Sequence, residues 1–319
     1  MSKSKHLSLF LSVLVCLLII PVTSFGEDTD EPIKIGLISM FTGRVSQLGI
    51  SSFNALQMAT EEINNSGGLI GRKIELIRRD CAGKPEEAVR VARELVTKEN
   101  VNFLIDNSSS AIAFALKEVS RDLKTITFIT SPEAIRLNAD PSIWSRYTFK
   151  SSRSVLHDAV VAGTFAAKIS KEKNFKKWST IAPSYSYGKD WAELFLLVLK
   201  EKLPDAEIVS QLWPKVFTND FTPHVTTVIS QKPDALFVIQ WGPDAIGFLK
   251  AAKQYSLPQL VKLFGVNFGK YDVLYAVEPV PAGMYACNRY LLNAPPTEQN
   301  KTFGMTYKSK FNSMPTCWS

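Results

Sequence analysis

The sequence predicts an α/β protein of two doubly wound, Rossmann-like lobes joined by a crossover. From Ile33 onward, apolar β-rich runs alternate with segments of helical period, the pattern of βαβ units around a parallel sheet. The alternation restarts after a polar stretch at 138–154 that contains Pro141, which reads as a crossover between the lobes. A chain of 319 residues also suits two domains better than one.

Taken in order, Ile33–Ser39 reads as a buried strand. Phe53–Asn64 follows as an amphipathic helix, with Phe53, Leu56, Ala59 and Ile63 on one face. The Asn65-Ser66-Gly67-Gly68 turn ends it, and Lys73–Arg79 is the second strand. Pro85 opens the next helix, with Glu86 and Glu87 placed to complement the dipole of its first turn. Asn102–Ile105 is a strand, Ser110–Asp122 a helix and Thr125–Ile129 a strand. In the second series, helices at 155–169, 191–200, 223–230 and 244–255 alternate with strands at 178–182, 206–212, 235–240 and 261–266. The expected division is a leader over 1–26, a first lobe over 27–148, a second over 149–284, and a return to the first lobe over 285–319. Met314–Ser319 is loop-like with no closing helix, so a truncated C-terminus is expected.

Composition is that of a protein with a real core, 45% hydrophobic and 21% charged. The net charge of +7 invites a nucleic-acid partner, but the cations are spread among nearly as many acids. The densest group, Lys168, Lys171, Lys173, Lys176 and Lys177, falls at an expected helix end, where cations suit the dipole. No nucleic-acid partner is expected.

Lys3, Lys5 and His6 precede an apolar run from Leu7 to Ile20, and Ser24 and Gly26 supply the small residues of a cleavage site before Glu27. This reads as a secretory signal peptide cleaved after Gly26, since a run of about 14 residues is short for a membrane span. Val15 before Cys16 is too bulky for a lipoprotein site. Cleavage removes Lys3 and Lys5 and leaves Cys81, Cys287 and Cys317. An odd number leaves one thiol unpaired, and Cys287 with Cys317 is the expected pair if a disulfide forms. No Cys-x-x-Cys or Cys/His cluster occurs, so neither a metal nor another cofactor is expected.

Several segments, in order, resemble the branched-chain amino-acid binding proteins of ABC importers, which have the type I periplasmic binding-protein fold. They are IGLISMFTGRVSQLG (35–49), ALQMATEEINNSGGLIGRKIELIRRD (55–80), KPEEAVRVARELV (84–96), Ile129-Thr130-Ser131-Pro132 and SYGKDW (186–191). The resemblance covers about 33–290. It implies a monomeric periplasmic solute-binding protein with no catalytic activity. A solute would be held in a cleft between the lobes by hinge closure and passed to an inner-membrane ABC permease.

The resemblance also points to site residues. Ser108, Ser109 and Ser110 follow a strand and begin a helix, so their hydroxyls and N–H groups either hold a ligand carboxylate or merely cap that helix. In Ser131-Pro132-Glu133-Ala134-Ile135, Ile135 stands where the family has a threonine, leaving backbone contacts; Glu133 is either a ligand contact or a solvated loop charge. Tyr187 matches the family's site tyrosine, with Tyr185 beside it, and Trp241 matches an aromatic lining the pocket. Asn267 stands where many amino-acid binders carry an acid for the ligand's ammonium, and Leu48 replaces an aromatic. The expected ligand is therefore an amide, an aromatic acid or another carboxylate, or an amino acid if Glu133 or Asp106 supplies the anion. An enzyme is disfavoured, because no G-x-G-x-x-G follows the first strand and no nucleophile–base arrangement is present. The sensing domain of a receptor with the same fold is the alternative.

Overall fold

A computed structural model describes residues 31–319; the expected signal peptide lies outside the described residues. Two five-stranded, all-parallel sheets organise the chain. The first contains β1 (Ile33–Ser39), β2 (Ile74–Asp80), β3 (Phe103–Asn107), β4 (Ile126–Ile129) and β5 (Thr148–Lys150), in spatial order β2-β1-β3-β4-β5. The second contains β6 (Lys177–Ile181), β7 (Glu207–Leu212), β8 (Ala235–Val238), β9 (Lys262–Gly265) and β10 (Tyr285–Ala286), in order β7-β6-β8-β9-β10. The two lobes thus share one winding. In each, the strand order reverses between the first and third strands, and ligands collect beyond the carboxyl ends of the strands at such a point.

Helices α1 (Ser46–Asn65), α2 (Pro85–Thr97) and α3 (Ser110–Leu123) belong to the first lobe. Helices α4 (Val155–Lys173), α5 (Ser186–Lys202), α6 (Thr222–Gln231), α7 (Gly242–Gln254) and α8 (Tyr271–Ala276) belong to the second. Because helices cover both faces of a parallel sheet, its central strands are largely buried; β8 is apolar and buried at every position. Alternate residues serve opposite cores. Ala235, Phe237 and Ile239 join Trp178, Trp191 and Phe195 on one side, while Leu236 and Val238 join Phe221, Phe248 and Phe268 on the other. In the first lobe, Ile38 and Leu104 pack with Leu95 of α2 and Leu116 of α3.

After β10 the chain returns to the first lobe and forms α9 (Glu298–Phe311) against α1. There Tyr307, fully buried, donates its hydroxyl to the Ser51 carbonyl at 3.3 Å, and Lys310 pairs with Glu61. The Ser51 hydroxyl also meets the hydroxyls of Thr316, at 2.7 Å, and Ser319, at 2.6 Å.

Three expectations need correction. The stretch read as a crossover contains β5, which is too short to show a strand period. The helix expected from Phe53 begins at Ser46; Gly49 disguises its first turns, yet a Cβ there would lie 2.4 Å from the Met40 carbonyl oxygen. Cys287 and Cys317 are not paired: Cys81, Cys287 and Cys317 are free thiols, and Cys287 Sγ donates to the Val266 carbonyl at 3.5 Å. The lysine cluster does end a helix, with Lys171 and Lys173 in the last turn of α4. Among the described residues, no helix is long and apolar enough to cross a membrane.

Candidate ligand-binding site

The loops at the carboxyl ends of both sheets face one cleft, whose empty space is about 400 Å³ including its mouth. From the first lobe it is lined by Leu48 of α1, by Ser108, Ser109 and Ser110 after β3, and by Ser131, Pro132 and Glu133 after β4. From the second come Tyr185 and Tyr187 after β6, Trp241 after β8, and Asn267 and Lys270 after β9. Arg289 and Trp318, from the segment after β10, complete the lining.

The three serines differ in what they have free. Ser109 is the N-cap of α3, its hydroxyl accepting from Ile112 N at 3.5 Å. Ser110 Oγ accepts from Ala134 N at 3.3 Å, and the Ser108 hydroxyl donates to buried Asp106. Burial pushes Asp106 up to about 7, even though the Ser108 hydrogen bond works in the opposite direction. Asp106 lies behind the serines and is not part of the lining. Ser131 is a buried residue, and among the described residues its hydroxyl has no hydrogen-bond partner.

Glu133 is 2% exposed and is held by cations. The Arg289 guanidinium pairs with it directly, and Arg153 Nε lies 3.6 Å from the same carboxylate. Arg153 also pairs with Asp158 at 2.7 Å. Burial works against the charged form of Arg289, but the Glu133 carboxylate and several smaller contributions, Asp158 among them, together outweigh it and raise its pKa above the ordinary arginine value. Asp158 is pushed up to about 6 by burial, Arg153 notwithstanding.

Tyr185 and Tyr187 stack at 5.8 Å, and burial raises both phenols above their ordinary range, so they act as neutral donors and acceptors. A close approach fixes this loop: a Cβ on Gly188 would lie 2.0 Å from the Pro183 carbonyl oxygen. Trp241 packs against the cores of both lobes and meets Phe217 edge-on at 6.2 Å. Asn267 donates to the Gln240 carbonyl at 2.9 Å and to the Tyr187 hydroxyl at 3.5 Å.

Eight of the expected site residues therefore come together, namely Ser108, Ser109, Ser110, Glu133, Tyr185, Tyr187, Trp241 and Asn267. Ala134 and Ile135 do not line the cleft. Ala134 is wholly buried in a small core with Ala113 and Leu137. Ile135 packs against the second lobe's core and gives its N–H to Asp190 Oδ2 at 2.9 Å, a bond between lobes. A second polar link joins Arg44 to the Phe217 carbonyl at 3.2 Å and to Asn219 Oδ1 at 2.7 Å. Lys270, Arg289 and Trp318 were not read from the sequence. Only Lys270 had a local signal, since it stands three residues after Asn267 in a loop following a strand.

Residues 32–319 match the family model described as periplasmic binding protein. Among relatives, the Leu/Ile/Val-binding protein BraC3 of Rhizobium johnstonii is 26% identical over 242 residues, 76% of this chain and 63% of that protein. The chain thus spans less than two thirds of that relative's length. Two solved structures share the fold. A solute-binding protein of an ABC transporter from Rhodopseudomonas palustris, in complex with 3,4-dihydroxybenzoic acid, superposes with a TM-score of 0.79 at 23% identity, covering 90% of this chain and 76% of that one. The branched-chain amino acid transporter substrate-binding protein LivJ from Streptococcus pneumoniae, in complex with isoleucine, gives 0.78 at 21%, covering 90% and 80%. With its twin parallel sheets and a family match that runs from Pro32 to Ser319, the chain belongs to the periplasmic binding proteins.

Proposed function

We propose that the protein is the exported solute-binding component of an ABC importer and catalyses nothing. One observation carries the reading: first-lobe hydroxyls and second-lobe aromatics line a single cleft where both sheets reverse their strand order. Because β5 closes the first sheet and β10 the second, residues 31–150 together with 287–319 would move as one body against 151–286. Away from the cleft, the lobes are linked by few polar contacts, chiefly Ile135–Asp190 and Arg44–Asn219. A solute touching both lobes would therefore decide between open and closed forms, since it binds the closed form better.

The ligand class is a small amphipathic solute: a branched-chain amino acid, a related amide, or an aromatic or other carboxylate. Relatives bearing the names of Leu/Ile/Val binding and a fold neighbour holding 3,4-dihydroxybenzoic acid support that range. Export rests on the Lys-flanked run Leu7–Ile20, and delivery to an inner-membrane permease rests on the family. A thermal-shift screen of the purified protein against amino acids, aromatic acids and amides tests the reading. A ligand at about 100 times its Kd adds about 2.7 kcal/mol to stability. A melting temperature unmoved by every compound would count against it.

A further inference from the structure

We infer that the cleft selects a small organic anion bearing a carboxylate and no ammonium, with Lys270 as the carboxylate's counter-ion. This deepens the solute-binding reading and rests on it.

Lys270 is the residue that the rest of the site leaves unmatched. It is 3% exposed, lines the cleft, and holds its ammonium 4.2 Å from the centroid of the Trp318 ring, another lining residue. Among the described residues, no carboxylate pairs with that ammonium and no acceptor takes a hydrogen bond from it. The ring face offsets part of the lost hydration but supplies no hydrogen-bond acceptor. A buried ammonium is stable when an anion comes to it, and here the open space of the cleft is where one can come. Ser131, whose hydroxyl also has no partner among the described residues, lines the same cleft and can donate to the same anion.

The neighbouring carboxylates are already engaged. Glu133 faces Arg289 and Arg153, and Asp158 faces Arg153. Asp106 lies behind Ser108, outside the lining, and takes that hydroxyl's proton as a hydrogen bond. The charged residues lining the cleft are two cations, Lys270 and Arg289, against one carboxylate, Glu133. A ligand carboxylate cancels that surplus, whereas a ligand ammonium adds to it. The residue best placed after β9 to receive an ammonium, Asn267, is neutral, and its amide N–H groups are spent on the Gln240 carbonyl and the Tyr187 hydroxyl.

The test varies the head group on a fixed body. Calorimetry on the purified protein compares 4-methylpentanoate, 4-methylpentanamide and leucine, and likewise 3-phenylpropanoate, 3-phenylpropanamide and phenylalanine. In whichever series binds, the carboxylate should bind about 10–100-fold more tightly than the amide and the amino acid, the scale of a charge-assisted bond. Lys270→Met should bring carboxylate and amide to similar affinity, while Lys270→Arg should keep the preference. Far-ultraviolet dichroism and unfolding midpoints confirm that the variants fold, and the wild-type series reads the preference without any variant. Tightest binding by the amino acid, or a carboxylate preference that survives Lys270→Met, would overturn this inference and leave the solute-binding reading standing. If the wild type binds no member of either series, both fall.

Discussion

Buried Glu133 and half-buried Arg289 meet as an ion pair that ties the loop after β4 to the segment leaving β10. One partner thus comes from the first lobe's sheet and the other from a chain segment more than a hundred residues later. Removing Arg289 would strand a carboxylate that is 2% exposed. Arg289→Ala should cost about 3 kcal/mol, at the low end of the range for breaking a buried pair because Arg153 remains 3.6 Å away. Glu133→Gln with Arg289→Leu should cost less than the two single changes added together. Urea unfolding of the five proteins, wild type, Arg289→Ala, Glu133→Gln, Arg289→Leu and the double variant, checks both statements.

Asp106 makes stability depend on pH in a stated direction. Its pKa is raised by burial from 3.8 to about 7, so the folded protein holds a proton that the unfolded chain has released. The stability this provides is fully present below about pH 4 and is lost as pH rises through 7. The shift corresponds to about 4 kcal/mol. Asp158 and Asp244, raised by burial to about 6, act in the same direction, so the difference between wild type and Asp106→Asn isolates the one group. Unfolding free energies measured from pH 4 to 8 should fall less steeply in the variant.

Asn267→Glu should move ligand preference towards amino acids. It places a carboxylate beside the Tyr187 hydroxyl, where the wild type has a neutral amide. The ratio of leucine affinity to 4-methylpentanoate affinity should rise about tenfold or more, a change of about 1.4 kcal/mol. Because the variant also loses the bond to the Gln240 carbonyl, the ratio is the informative quantity. Competition titrations give it directly.

Gly188→Ala tests how the tyrosine loop is held. The added carbon would sit 2.0 Å from the Pro183 carbonyl oxygen, so backbone has to shift. A loss of about 1–3 kcal/mol in stability is expected from such overpacking. Affinity should weaken as well, because Tyr187 is the adjacent residue and lines the cleft. Thermal unfolding and titration of the same preparation read the two effects.

Much of this was legible in the sequence because parallel strands are buried on both sides and end in short loops. Ile33–Ser39 is bounded as its pattern predicts, and residues just past the strand ends, such as Ser108, Tyr187 and Trp241, are legible from that position together with the family resemblance. What escaped detection had a physical cause in each case. The start of α1 carries Gly49, Ser51 and Ser52 instead of an apolar stripe, because it abuts the Met40 carbonyl and bonds the segment 316–319. Ala134 and Ile135 share a loop with Glu133, but their side chains fill cores instead of the cleft. Arg289 and Trp318 reach the site only through the return of the chain after β10, a long-range event that no local pattern records.

The central claim is that a solute is held between the serines of one lobe and the aromatics of the other. Trp241 tests it most directly, because it packs against both cores and lines the cleft between them. Calorimetric titration of wild type and Trp241→Ala with the tightest binder from the screen is the decisive measurement. One site per chain and a loss of about 1–3 kcal/mol in the variant are predicted, the scale for a large side chain that no longer covers its ligand. Equal affinity in the two proteins would contradict the placement of the solute in this cleft.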